Sequence, residues 1–138
     1  MKKVSNILLL IAGIYSIVCA ATFLILGIVF VVASSDACKE QIIEMLERGT
    51  FTTSYAGTPQ EQAQFIQTVY SILGITMLVV CVFQFINVFL SFTARKKEAK
   101  PLYILNIVFG VLSMVVVNVV GAIFGLIALN HNTEAQVE

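Results

Sequence analysis

The sequence predicts an all-α integral membrane protein with three transmembrane helices and a short amphipathic helix in the outer loop. Three observations carry this expectation. Of 138 residues, 59% are hydrophobic and only 12% charged, at a mean hydropathy of +0.96, whereas soluble domains carry about 25% charged residues. The apolar residues fall into three runs, 7–33, 65–92 and 102–129, none containing Asp, Glu, Lys, Arg or His. Each run exceeds the roughly 20 residues that span a hydrocarbon core, the surplus being taken by tilt or by helix emerging from the bilayer. Backbone groups in lipid must be satisfied internally, by a helix or a closed barrel. Continuous apolar runs, without short alternating strands, select helices. The whole chain, 1–138, is expected to form a single membrane domain.

The first run follows Lys2 and Lys3, a basic start that a signal peptide would share. The apolar segment of a signal peptide has only about 7–15 residues, so the run is taken as an uncleaved span. Its small residues Ala12, Ser16 and Ala20 recur every fourth position beside Gly13, a stripe that lets helices approach closely.

The connecting segments differ in charge. The segment after the first run holds Asp36, Glu40, Glu44, Glu47 and Glu61 against Lys39 and Arg48. The short loop 93–101 holds Arg95, Lys96, Lys97 and Lys100 against Glu98, and the tail holds His131, Glu134 and Glu138. Lys and Arg accumulate on the cytoplasmic side. This predicts a multi-pass protein of the cell membrane, with the N-terminus and loop 93–101 cytoplasmic and the C-terminus extracytoplasmic.

The outer loop, 34–64, carries its own signals. Ile42, Ile43, Met45 and Leu46 among charges predict an amphipathic helix over 36–48, stopped by Gly49. Thr58-Pro59-Gln60-Glu61 is a capping box, with Pro at the first helical position. The second helix should therefore begin at Pro59, before the lipid, and run to about Ala94. The apolar face of the loop helix is either an interaction surface or a face laid on the membrane interface.

Within the spans the polar residues are uncharged. Asn87 and Asn106 are expected at similar depth on consecutive helices, Gln84 a turn deeper, and Asn118 in the outer half. They are either interhelical hydrogen-bonding residues, worth about 0.6 kcal/mol each, or the lining of a pore in an oligomer. In the third run Gly121 and Gly125 make a GxxxG, extended by Gly110 and Ser113 into one stripe. It serves packing within the chain or dimerisation.

The chemistry-bearing residues are few. No Asp, Glu, Lys, Arg or His lies in a run, which argues against proton-coupled transport and voltage sensing. Cys19, Cys38 and Cys81 make no CxxC, and the single histidine lies in the tail, so neither metal nor cofactor is expected. Cys38 is either the seat of an intermolecular disulfide or a thiol in a compartment that does not rely on disulfides. No nucleophile–base set, phosphate loop or carboxylate pair is evident, and no basic patch with interleaved aromatics suits nucleic acid. No enzyme activity is expected.

The Lys-Lys start with Ile7, Leu8 and Gly13, and the last run from Asn118 to Leu129 with its spaced glycines, resemble a family of small polytopic membrane proteins of Gram-positive type bacteria, of unknown function. Its members often carry four spans, where this chain offers three. The resemblance implies a helical membrane protein and transfers no site. The partners expected are the lipid bilayer and another membrane protein or a second copy. The leading expectation is a non-enzymatic accessory or regulatory subunit of a larger membrane complex, or a self-assembling unit. The alternatives are a homo-oligomeric channel or holin-like pore, and a membrane immunity protein.

Overall fold

The structure, a computed structural model, describes residues 2–113 and 115–134, the last four by backbone alone. The tail charges His131, Glu134 and Glu138, used above for orientation, lie outside the described side chains. Among the described residues five helices follow in order: α1 (Lys2–Ala33), α2 (Asp36–Glu47), α3 (Pro59–Lys97), α4 (Lys100–Leu112) and α5 (Val116–Glu134). Among the described residues, only α1 and α3 are long and apolar enough to cross a membrane, and α4 and the apolar part of α5 are shorter. The chain divides into two compact units, Met1–Thr22 with Val80–Glu138, and Phe23–Val79.

The second unit contains the segment expected as the outer loop, 34–64. α1 ends where Ser34 and Ser35 turn their hydroxyls back to the carbonyls of Val31 and Val32, at 2.8 and 2.6 Å. Ser35 is therefore occupied and makes no side-chain cap for α2. α2 closes in a Schellman motif. Thr50 N–H reaches the Met45 carbonyl at 3.0 Å and Gly49 N–H reaches Leu46 at 3.1 Å, with Gly49 at φ +66°, a conformation that costs other residues about 1–2 kcal/mol. The capping box forms as its sequence indicates. Glu61 Oε2 accepts the Thr58 N–H at 2.8 Å and Thr58 Oγ1 accepts the Glu61 N–H at 3.4 Å, and α3 starts at Pro59. Ile42 of α2 is buried against Ala63 and Ile66 of α3, with Ile43, Leu46 and Tyr70 alongside. Gly27 and Gly74 bring α1 and α3 together: a Cβ on Gly27 would lie 2.9 Å from the Leu78 side chain, and one on Gly74 2.8 Å from Val31.

The first unit corrects the third span. Residues 102–129 do not form one helix. The chain leaves helix between Leu112 and Val116, and α4 and α5 pack against each other as an antiparallel hairpin. Gly110 of α4 faces Val119 of α5, and Gly125 of α5 faces the Tyr103 ring of α4, pairings centred on the break. Locally, Ser113 competes for backbone bonds, and Val115, Val116 and Val117 are β-branched residues of reduced helix propensity. The break is closed by Val115 N–H on the Gly110 carbonyl at 2.8 Å.

Two further features of this unit differ from the expected path of the chain. Lys2, Glu98, Tyr103, Gly125 and Leu129 line one crevice, so the end of α5 returns to the Lys2 side and does not emerge opposite it. The loop expected over 93–101 shrinks to residues 98–99, because α3 runs on to Lys97 and α4 begins at Lys100. Glu98 takes φ +46°, and its carboxylate holds Lys2 at 3.0 Å. Leu9, Ala94, Tyr103 and Ala122 form the core of this unit, one from each of α1, α3, α4 and α5.

Candidate functional site

The densest set of buried polar groups sits where the hairpin turns. Gln84, Asn87 and Ser91 of α3, Asn106 of α4, Ser113 at the break and Asn118 of α5 are all buried, the four amide residues at 0–2% exposure. A helix end inside an apolar environment leaves carbonyls that cost several kcal/mol each when unpaired. α3 supplies the donors. The Gln84 amide donates to the Ser113 carbonyl at 3.2 Å, and the Asn87 amide donates to the Phe109 carbonyl at 3.2 Å and to the Ser113 hydroxyl.

The asparagines close the set. Asn118 Nδ2 donates to Asn87 Oδ1 at 3.1 Å and to the Asn106 carbonyl at 3.3 Å. Ser91 Oγ donates to Asn118 Oδ1 at 2.9 Å. Asn106 Nδ2 donates to the carbonyls of Leu102 and Leu90 at 2.8 and 3.1 Å. Asn118 was expected in the outer half of its span. Instead the fold-back sets it level with Asn87 and Asn106, and those two meet through Asn118 and Ser91. Among the described residues, Ser16 Oγ, Gln84 Oε1 and Arg95 Nε are buried without a hydrogen-bond partner.

The small residues bring backbones together around this set. Ala12, Ser16 and Ala20 of α1 are at most 1% exposed. A Cβ on Gly121 would lie 3.0 Å from Leu8 Cβ and 3.2 Å from the Leu9 nitrogen, and one on Gly125 would overlap the Tyr103 ring. Ser5, which the sequence did not single out, donates to the Gly121 carbonyl at 2.8 Å. Cys81 Sγ donates to the Ala20 carbonyl at 3.3 Å. The stripe expected on one helix is thus divided between two, with Gly110 and Ser113 before the break and Gly121 and Gly125 after it.

α3 repeats this amide service within the second unit. Gln67 Nε2 donates to the carbonyls of Ser34 and Ser35 at 3.4 and 3.0 Å, and Gln62 Nε2 to those of Tyr55 and Gly57 at 3.0 and 3.2 Å. Neither glutamine was singled out from the sequence, although Gln62 precedes and Gln67 opens the second apolar run.

The second unit also has a pocket of about 200 Å³ beneath α2, lined mainly by Ala33, Cys38, Ile42, Met45, Phe51 and Tyr70. Of the outer-loop residues predicted to interact, Ile42 is buried, Ile43 and Leu46 are partly buried, and Met45 is exposed. Cys19, Cys38 and Cys81 are free thiols. Among the described residues no group of three or more His, Cys, Asp or Glu is placed to hold a metal.

No protein-family model matches the sequence, and no curated protein or solved structure is detectably similar to it.

Proposed function

We propose that this chain is a multi-pass membrane protein that acts without catalysis, by association with another membrane protein as an accessory subunit. α1 and α3 cross the bilayer, and the α4–α5 hairpin enters and leaves from the cytoplasmic side. The basic residues Lys2, Lys3, Arg95, Lys96, Lys97 and Lys100 mark that side by the positive-inside rule, and the acidic α2 lies on the outer side. The hairpin's non-helical turn is acceptable at membrane depth because the Gln84 and Asn87 amides and the Val115 N–H pair its carbonyls.

The observation that carries the association reading is the apolar pocket beneath α2. It opens in a charged segment outside the crossing runs, and Met45 and Phe51 on its rim are 44% and 41% exposed. The small-residue contacts, by contrast, are already taken up within the chain. A pore lined by Gln84, Asn87, Asn106 and Asn118 needs those side chains on an open helix face, and each is closed within the hairpin's packing.

The test is crosslinking and affinity capture from native membranes, with the unmodified chain beside Met45→Asp and Phe51→Asp. Association predicts one membrane protein retained by the unmodified chain and lost from both variants. Capture of the same proteins by all three, or of none by any, overturns it.

A further inference from the structure

A second groove, of about 550 Å³, runs along α3 in the first unit. Its walls are Phe85, Val88, Phe89 and Phe92, and its end is Thr93, Lys96 and Lys97. Phe85, Phe89, Phe92 and Lys96 follow at spacings of four, three and four, one face of a helix. Phe85 and Phe89 are 57% and 69% exposed. Phe92 closes one wall, seated where a Cβ on Gly13 of α1 would meet its ring at 3.1 Å. The groove is therefore aromatic along its length and cationic at one end.

The cations at that end are unspent. Glu98, the nearest carboxylate in sequence, is engaged with Lys2, and among the described residues Lys96 and Lys97 have no carboxylate within salt-bridge distance. From Phe85 to Lys97 the helix rises about 18 Å, close to the depth of one leaflet of a core about 30 Å thick.

We propose that this groove holds one anionic phospholipid of the cytoplasmic leaflet. An acyl chain lies along Phe85, Phe89 and Phe92, and the phosphate sits on Lys96 and Lys97. The inference rests on the membrane reading above. Charge selects the occupant. A crossing helix of a partner brings its own Lys and Arg to the cytoplasmic level, and a second copy brings these same lysines, so either would set cation against cation. An anionic lipid has an apolar chain and a negative head at the required separation, and basic pockets at this level of a membrane protein recognise such head groups.

The chain contains no Trp, so a single introduced one reports its own surroundings. Phe89→Trp places it in the groove, and Ile104→Trp, at a position 46% exposed on α4, serves as the reference. Each variant is reconstituted in vesicles of phosphatidylcholine with a fixed fraction of phosphatidylglycerol, one or the other brominated on its acyl chains. The proposal expects brominated phosphatidylglycerol to quench Phe89→Trp more strongly than brominated phosphatidylcholine at equal mole fraction. Lys96→Gln and Lys97→Gln should each reduce that preference about fivefold, while Ile104→Trp is quenched equally by both lipids.

Equal quenching of both variants by both lipids overturns the proposal and leaves the membrane reading standing. Quenching of Ile104→Trp but not of Phe89→Trp overturns it in favour of a protein occupant, a second copy or a partner helix. Quenching of neither removes the membrane reading and the lipid proposal with it.

Discussion

The Gln84 side-chain amide donates to the Ser113 main-chain carbonyl across 3.2 Å and 29 positions of sequence. That bond joins the middle of α3 to the point where the last apolar segment stops being helical. Asn87, one turn along, bonds the Phe109 carbonyl and the Ser113 hydroxyl beside it. The hairpin turn is held by side-chain amides of a neighbouring helix, which do for it what water does for a loop at a protein surface.

Removing those amides should loosen the hairpin. Gln84→Leu leaves the Ser113 carbonyl unpaired, and a buried unpaired group costs about 1–3 kcal/mol. Asn118→Leu removes one accepted and two donated bonds at once and should cost more than Gln84→Leu. Reversible unfolding in bicelles measures both, and equal stability of either variant and the parent would contradict the arrangement.

Two serines on α1 should behave oppositely. Ser5 donates to the Gly121 carbonyl at 2.8 Å, so Ser5→Ala should destabilise by about 0.5–1.5 kcal/mol. The Ser16 hydroxyl is buried without a partner, so Ser16→Ala should be neutral or mildly stabilising. The same unfolding measurement separates the two.

Close packing sets the third expectation. A Cβ on Gly125 overlaps the Tyr103 ring, and overpacking typically costs about 1–3 kcal/mol. Gly125→Ala should destabilise within that range, and Tyr103→Leu introduced with it should recover part of the loss.

The proposed topology makes a prediction of sidedness. After replacement of Cys19, Cys38 and Cys81 by Ser, single cysteines Lys3→Cys and Asn130→Cys should react with a membrane-impermeant maleimide only once the cytoplasmic face is opened. The native Cys38, kept alone, should react in intact cells. A three-span chain would instead expose Asn130→Cys in intact cells, so this one residue distinguishes the topologies.

At the start of α3, Thr58→Ala removes the hydroxyl that accepts the Glu61 N–H and should cost about 1 kcal/mol. Faster hydrogen exchange at Glu61 and Gln62 is the local signature, with exchange along 80–97 unchanged.

Much of this was legible in residue order because it depends on neighbours. The Thr58–Glu61 box, the Gly49 stop and the helical character of 7–33 and 65–92 follow from spacing and from the requirement that lipid places on backbone groups. Those same signals made 102–129 look like the other two runs. Apolarity reports what a segment can be immersed in, and it is blind to whether a helix continues or folds back. Ser113 and the valines after it are a weak local hint, since β-branched residues are common in crossing helices.

The fold-back was decided by residues far away in sequence. A break at Ser113 leaves carbonyls in need of partners in an apolar setting, and the amides of Gln84 and Asn87 supply them from α3. The sequence by itself determined which segments are apolar helices, where α2 stops and where α3 starts, because each depends on groups a few residues apart. The tertiary structure alone decided that the last segment is a hairpin, that Asn118 lies beside Asn87, and that α5 returns to the side of Lys2. Each of these depends on a partner more than 20 residues distant, which local pattern does not encode.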